Sequence, residues 1–278
     1  NKNNLDDHLI SGLDPSGVPS NLRNTSFGFQ YNNINQLRKL VAKENIGVIQ
    51  MEVARSTQPN VKFLRKVRDL ATKKNIVLIF DECTTGFRQC FGGLHKLINI
   101  NPDMAIFGKA LGNGYAITAI IGKKKIMEQS KNSFISSTFW TERIGPTAAL
   151  KTLEIMRKTK SWEKITKIGK IVQKRWSQIF KKFDLDVSIR GLPSLSSFVF
   201  KSEKHQKYVT YITQEMLKKN ILASNIFYPS TCHNLKIINK YFKNLNEILK
   251  TIRDCENGSD INRFLLTQDS EKGFSRLN

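Results

Sequence analysis

The sequence lacks the long apolar run that a membrane-spanning helix requires. A helix needs about 20 mostly apolar residues to cross a bilayer, and no run in the 278 residues approaches that length. Residues 1–21 are polar and rich in turn formers, without the basic start and apolar centre of a signal peptide. These absences predict a soluble, cytoplasmic protein with no membrane partner.

The sequence also lacks the spacings that are typical of metal sites. No CxxC pair and no HExxH motif occurs. In a chain of this size, cysteines without such spacing are typical of reduced cytosolic thiols. We therefore expect no metal site and no disulfide framework among the four cysteines, Cys83, Cys90, Cys232 and Cys255.

Charge of one sign is abundant but is not concentrated anywhere. Lysine and arginine total 45 against 23 aspartate and glutamate residues, which gives a formal net charge of +22. The lysines are scattered through the whole chain, without the basic-aromatic repeats of an RNA-binding module. This distribution favours a Lys-rich composition over specific nucleic-acid binding. A basic nucleic-acid-binding or scaffold fragment remains the non-enzyme alternative.

Apolar segments alternate between helical and strand-like patterns in the first half of the chain. The strand-like runs are apolar throughout, which is typical of a largely parallel sheet covered on both faces. Ligands of such sheets bind just beyond the carboxyl ends of the strands. The predicted order is a helix over 33–44, a strand over 46–52, a helix from Pro59, and strands over 76–80, 103–109 and 115–122.

The pattern changes after Ile144. Apolar residues recur every three or four positions from Gly145 to about Phe183, and this spacing predicts one long helical stretch. Beyond it, an alternating segment over 194–200, helices over 208–219 and 235–255 and a strand-like segment over 221–228 predict a smaller α+β unit.

Two carboxylates, Asp81 and Glu82, follow the predicted strand over 76–80. A strand that ends in Asp-Glu also describes the Walker B element of an ATPase. However, no GxxxxGK[ST] loop accompanies it: Gly108-Lys109 has neither the upstream glycine nor a following hydroxyl residue. The sequence therefore disfavours an ATPase.

A second hypothesis is that Asp81 acts together with Lys109, which also lies at the end of a predicted strand. In a parallel sheet the two residues emerge at the same edge. Pyridoxal phosphate needs such a pair, because a carboxylate keeps the pyridine nitrogen protonated while a lysine binds the aldehyde as a Schiff base. Gly108, Gly112 and Gly114 around the lysine indicate a loop that allows close approach.

Three motifs, in one order, carry a family resemblance. They are FDECTTGFR from residue 80, NPDMAIFGKALGNGYAITAIIGKKKIM from residue 101 and SSTFWTERIGPTAALKTLEIM from residue 136. From about Val18 to the C-terminus, the chain resembles class III, fold-type I pyridoxal-phosphate aminotransferases, especially the branch of glutamate-1-semialdehyde aminomutase. The resemblance implies an α/β large domain with a mainly parallel sheet over 1–155, and a smaller C-terminal α+β domain with the long helix over 156–278.

The resemblance also implies roles for individual residues. Asp81 would pair with the pyridine nitrogen, and Lys109 would form the Schiff base and then shuttle a proton. Thr138 would bind the cofactor phosphate of the neighbouring subunit, so the active site would be shared in a homodimer. Glu52 would have a structural or substrate-side role, and Arg88 would tie down the loop after Asp81.

Two positions near the cofactor ring depart from the family pattern. Cys83 stands where a branched aliphatic residue usually packs against the ring, and Thr84 stands where relatives have Gln or Met near the ring hydroxyl. Both are expected to contact the cofactor.

Family members begin with well over a hundred further residues, which hold a phosphate loop and a ring-stacking aromatic. We therefore expect this chain, which starts at Asn1, to be an N-terminally truncated part of a longer enzyme. Alone, it should hold cofactor weakly or not at all. The predicted activity is amino transfer from a small-molecule donor to a carbonyl acceptor, with the intramolecular reaction of glutamate-1-semialdehyde aminomutase as the alternative.

Overall fold

The computed structural model describes residues 17–54, 58–136 and 138–268. Its first sheet has four strands in the order β1-β2-β3-β4. The first three strands are parallel, as predicted, and β4 runs antiparallel to β3 at one edge. The strands are β1 (Val48–Glu52), β2 (Val77–Asp81), β3 (Met104–Phe107) and β4 (Ala119–Gly122).

Two amphipathic helices, α1 (Ile34–Lys43) and α2 (Val61–Lys73), alternate with the first two strands. An asparagine side chain caps the start of each helix. Asn33 accepts a hydrogen bond from the amide of Gln36 at 3.0 Å, and Asn60 accepts one from Phe63 at 3.1 Å. Because these caps satisfy amides that have no partner within the helix, they fix where each helix begins.

The stretch that the sequence predicts as one long helix is two helices, α5 (Ile144–Thr159) and α6 (Ser161–Lys182). Lys160 separates them with φ +46°, in the left-handed region. The flanking residues Thr159 and Ser161 are weak helix formers, and the Thr159 hydroxyl bonds the carbonyl of Ile155 at 2.8 Å. The break is not evident from the sequence, because the helical spacing of apolar residues continues across it. The short helices α3 (His95–Ile98) and α4 (Lys124–Met127) precede this pair.

The second sheet is small and antiparallel, in the order β5-β6-β7. Its strands are β5 (Val187–Arg190), β6 (Ser196–Phe200) and β7 (Ile226–Phe227). The helix α7 (His205–Leu217) lies between β6 and β7 in the chain, and α8 (Leu235–Glu256) follows β7. Trp176 of α6 packs against Phe198 and donates a hydrogen bond to Tyr241 at 2.9 Å. The segment predicted as a strand over 221–228 pairs only at its end, and β5 was not predicted.

The two largest apolar clusters each include residues of one sheet. One surrounds Leu64, Leu78 and Phe80, the other surrounds Trp176, Phe198 and Leu249, and all six side chains are fully buried. The division into domains at 155/156 stays a prediction. Among the described residues, no helix is both long enough and apolar enough to cross a membrane.

Candidate active site

Asp81 is the last residue of β2, at the carboxyl edge of the parallel strands. Its Oδ1 accepts a hydrogen bond from the amide of Cys83 at 2.9 Å, which turns the chain sharply after the strand. Within the described part of the chain, no other hydrogen bond or ion pair reaches this carboxylate. One oxygen is therefore left to accept a further donor.

Lys109 follows β3, which pairs with β2 so that Asp81 lies opposite Ile106. Both residues therefore lie at the same edge of the sheet. Lys109 has φ +43°, a conformation that non-glycine residues seldom adopt and that is enriched at functional sites. Its Nζ donates a hydrogen bond to Oγ1 of Thr84 at 2.6 Å, across the gap between the two strand ends.

The glycine before the lysine permits this close approach. A Cβ at Gly108 would lie 2.6 Å from Sγ of Cys83, closer than such atoms pack. The cysteine sulfur therefore fills the space that a side chain at Gly108 would need. Cys83 and Thr84, two residues of the loop after β2, thus contact the segment that carries the lysine.

Glu82 points away from this edge, into the protein. It is fully buried and accepts hydrogen bonds from the amide and from Nδ1 of His95, both at 2.9 Å, and from the hydroxyl of Thr85. Burial raises the pKa of this carboxyl, but the hydrogen bonds from His95 and Thr85 outweigh it, so that the pKa lies below its ordinary value. Glu82 is an anchor of the loop.

His95, the partner of Glu82, could not be predicted from the sequence. The two residues are 13 positions apart, and the loop between them has no periodic pattern that would relate them. The glycines of the segment Phe91-Gly92-Gly93 were the available signal. At Gly93 a Cβ would meet the His95 ring at 2.4 Å, so the close approach requires glycine there.

Arg88 closes the loop from the other side. Its Nε donates to the carbonyl of Thr84 at 2.7 Å, and its guanidinium lies 5.7 Å from the ring centroid of Tyr228, in the segment between β7 and α8. Burial lowers the pKa of this guanidinium. These contacts link the loop after β2 to the second half of the chain, and the role of Arg88 in tying down the loop stays a prediction.

Glu52 ends β1, directly beside Asp81 in the strand register. Two carboxylates therefore end neighbouring strands, and Asp81 is the one whose strand pairs with β3, the strand that precedes Lys109. The next residue, Val53, is fully buried, and its carbonyl accepts a hydrogen bond from the Tyr31 hydroxyl at 2.6 Å. The end of β1 is thus fixed independently of the loop after β2.

Thr138 is not brought to this edge by the described residues. It lies exposed in a turn, next to Phe139 and Trp140, which keep 75% and 67% of their surface exposed. Phe134 nearby is 97% exposed. The geometry of this chain alone therefore gives Thr138 no contact with Asp81 or Lys109.

An open cleft of about 890 Å³ adjoins the lysine. Its walls come from the Lys109 segment, from α5, from the start of α6 and from residues 228–231. Four lining residues are cationic, and none is acidic among those described. The cations are Arg88, Lys109, Lys151 and Lys164.

The sequence matches a protein-family model over most of its length. The family model described as aminotransferase class-III matches residues 30–239. The chain therefore belongs to the class-III aminotransferases, a family that uses pyridoxal phosphate. This finding confirms the resemblance carried by the three sequence motifs.

The curated relatives include both transferases and mutases. The chain is 29% identical to the 3-aminobutyryl-CoA aminotransferase of Cloacimonas acidaminovorans over 78% of its length and 55% of that protein. It is 26% identical to the glutamate-1-semialdehyde 2,1-aminomutase of Sulfurihydrogenibium azorense over 86% of its length and 60% of that protein. The chain thus spans little more than half the length of these relatives.

Solved structures confirm the predicted fold class. The FumI protein of Sphingopyxis sp. MTA144, in its PLP internal aldimine form, matches 89% of this chain and 62% of its own, with a TM-score of 0.80 at 18% identity. An omega-transaminase from Sphaerobacter thermophilus matches 86% of this chain and 60% of its own, with a TM-score of 0.76 at 16% identity. At these identities the likeness shows the fold alone.

Proposed function

We propose that this protein is a pyridoxal-phosphate-dependent aminotransferase that moves an amino group from a small-molecule donor to a carbonyl acceptor through Lys109. The observation that carries the proposal is the placement of Asp81, the last residue of β2, and Lys109, which follows β3, at one edge of the sheet. An amine and a carboxylate at neighbouring strand ends are the two groups that this cofactor needs from the protein. Membership of the class-III family supports the same activity.

The residues at the edge fit the cofactor chemically. Asp81 keeps one carboxylate oxygen without a hydrogen bond from the described residues, so it can accept a bond from a protonated ring nitrogen. Gly108 lets the sulfur of Cys83 pack against the segment that carries the lysine. When bound, the cofactor supplies an electron sink for the carbon that loses or gains a proton.

The proposed roles of this chain's residues follow from their positions. Lys109 would hold the cofactor through Nζ at its aldehyde and, when free again, would carry the proton at the reacting carbon. Asp81 would hold the proton on the ring nitrogen. Cys83 and Thr84 contact the cofactor from the loop after β2, and Glu52 borders the site on the side of β1. Arg88 keeps the loop in place.

We also propose that the protein is a homodimer with a shared site. Large apolar side chains, Phe134, Phe139, Trp140 and Ile144, are exposed on both sides of Thr138 in the sequence. Contiguous exposed apolar residues of this size are typical of protein interfaces. A partner chain that covers them would bring Thr138 to the cofactor phosphate of the other subunit.

The experiment follows the covalent attachment of the cofactor. The protein is mixed with pyridoxal phosphate and reduced with borohydride, and the attachment site is then located by peptide mass spectrometry. We expect attachment at Lys109 and its loss in Lys109→Ala. Lys151→Ala is the matched control, since Lys151 lines the same cleft but forms an ion pair with Glu154 at 2.9 Å. Attachment spread over many lysines, unchanged by Lys109→Ala, would refute the lysine assignment.

Glutamate-1-semialdehyde aminomutase activity is the second candidate. Several curated relatives carry that name, one of them from Chlorobium phaeobacteroides at 30% identity over 75% of this chain and 51% of that protein. A mutase needs no external amino donor. Product formation from an amino-aldehyde substrate alone would favour the mutase, whereas a strict need for a second amino compound would favour the transferase.

A further inference from the structure

One buried hydroxyl holds the amino group of the site lysine. Lys109 Nζ donates to Thr84 Oγ1 at 2.6 Å, and Thr84 is only 5% exposed. The lysine is otherwise exposed, and across residues 17–54, 58–136 and 138–268 no other hydrogen bond or ion pair involves its amino group. The position of this amine therefore depends on one contact.

A hydroxyl suits an amine that must change its charge. It has one proton to donate and lone pairs that accept. Thr84 can therefore accept a hydrogen bond from a charged ammonium and can donate one to a neutral amine. A carboxylate at the same place could only accept. Lys109 must be neutral to bond to an aldehyde, so a partner that serves both charge states keeps the amine in place throughout.

Thr84 is itself fixed from two sides. Its carbonyl accepts the Nε–H of Arg88 at 2.7 Å, and the side chain of the next residue, Thr85, bonds the buried Glu82. The contact between Cys83 and Gly108 sets the spacing of the two segments. The hydroxyl is thus placed before the lysine reacts, which lowers the entropic cost of reaching the reactive geometry.

We propose that Thr84 is a positioning residue that holds the Lys109 amino group at the sheet edge and directs it toward the cofactor aldehyde. The second part of this inference rests on the proposed function, whereas the hydrogen bond itself does not. In the reaction concerned, the amino nitrogen bonds to the aldehyde carbon and one water leaves. Thr84 takes no part in the bonds that form or break.

The first test uses the protein without cofactor. Competitive acetylation at fixed pH, read by peptide mass spectrometry, compares Lys109 with Lys151 as internal reference in the wild type, Thr84→Val and Thr84→Ser. Because this hydrogen bond must break before the amine can react with the free reagent, and such a bond contributes about 1 kcal/mol, its loss should speed acetylation of Lys109 about fivefold. Thr84→Ser should stay within about twofold of the wild type, because it keeps the hydroxyl.

Equal acetylation of Lys109 in the wild type and Thr84→Val would overturn the proposal. Valine matches threonine in shape, and a melting curve reports whether the variant folds. If Thr84→Val fails to fold, Thr84→Ala replaces it in the same comparison. A general change in labelling, shared by Lys151, would mean that the side chain only supports the fold and would also overturn the proposal.

The second test adds pyridoxal phosphate at a limiting concentration, followed by borohydride. We expect the fraction attached at Lys109 to fall about fivefold in Thr84→Val and to be retained in Thr84→Ser. Unchanged attachment in Thr84→Val would refute the directing role. If the wild type shows no preference for Lys109, the proposed function fails, whereas the acetylation result still decides whether Thr84 holds the amine.

Discussion

The loop after β2 and the segment around Thr138 are built in opposite ways, although both are expected to serve one cofactor. The loop is anchored inside the chain: Glu82 is fully buried with three hydrogen bonds, and Arg88 and Thr84 are bonded to each other. The other segment exposes Phe134, Phe139 and Trp140. The loop is thus held by residues of this chain, whereas the segment around Thr138 leaves large apolar side chains exposed.

Removing the buried carboxylate of Glu82 should cause the largest loss of stability, and this loss should be specific to the anchored loop. Glu82→Ala removes the acceptor of three hydrogen bonds, which come from the backbone amide of His95, the ring Nδ1 of His95 and the hydroxyl of Thr85. Breaking such a buried charged network costs about 3 kcal/mol or more of unfolding free energy. Urea unfolding measures the loss. Phe134→Ala is the control on the exposed segment and should change stability by less than about 0.5 kcal/mol. A similar loss of unfolding free energy in both variants would contradict the difference between the anchored loop and the exposed segment.

The exposed segment should instead respond in its association. Phe139→Ser combined with Trp140→Ser removes two large apolar side chains from the proposed dimer surface, and aromatic residues carry much of the energy of such interfaces. We expect dimerisation, measured by sedimentation, to weaken at least about tenfold while the unfolding of the monomer changes little. Leu222→Ser is the matched control, since Leu222 is 90% exposed but lies far along the chain. A dimer that survives the double change would place the interface elsewhere.

The features that could be predicted from the sequence are local, whereas those that could not be predicted depend on contacts between distant residues. The apolar strands, the two strand ends and the pair Asp81 and Lys109 could be read directly, because the carboxyl ends of parallel strands share an edge. The His95 partner of Glu82 and the Arg88–Tyr228 contact could not, because loops without a period bring them together. The break at Lys160 was hidden because the helical spacing continues across it.

The close packing beside Lys109 should show a smaller effect. Gly108→Ala places a Cβ 2.6 Å from Sγ of Cys83, and overpacking of this kind costs about 1 kcal/mol or more. The cofactor-free Gly108→Ala variant should therefore unfold at a lower urea concentration than the wild type. Adding Cys83→Ala should restore most of the loss, because the Cβ of residue 83 would lie at an ordinary distance of 3.9 Å. Cys83→Ala alone is the matched control, and the absence of rescue would show that Gly108 is needed for a reason other than the sulfur.

The smallest effect should be the response of the anchored loop to acid. The pKa of Glu82 is lowered on folding from an ordinary value of 4.5, so its contribution to stability is present above that pH and is lost as pH falls through the lowered value. Protonated Glu82 still fills its space, which makes this loss smaller than that of Glu82→Ala. Urea midpoints between pH 7 and pH 3 measure it. Glu82→Gln should flatten part of the acid decline, and Asp103, whose pKa is also lowered, should account for a further part. If the loss of stability in acid is unchanged in Glu82→Gln, the hydrogen bonds from His95 and Thr85 do not favour the charged form of Glu82.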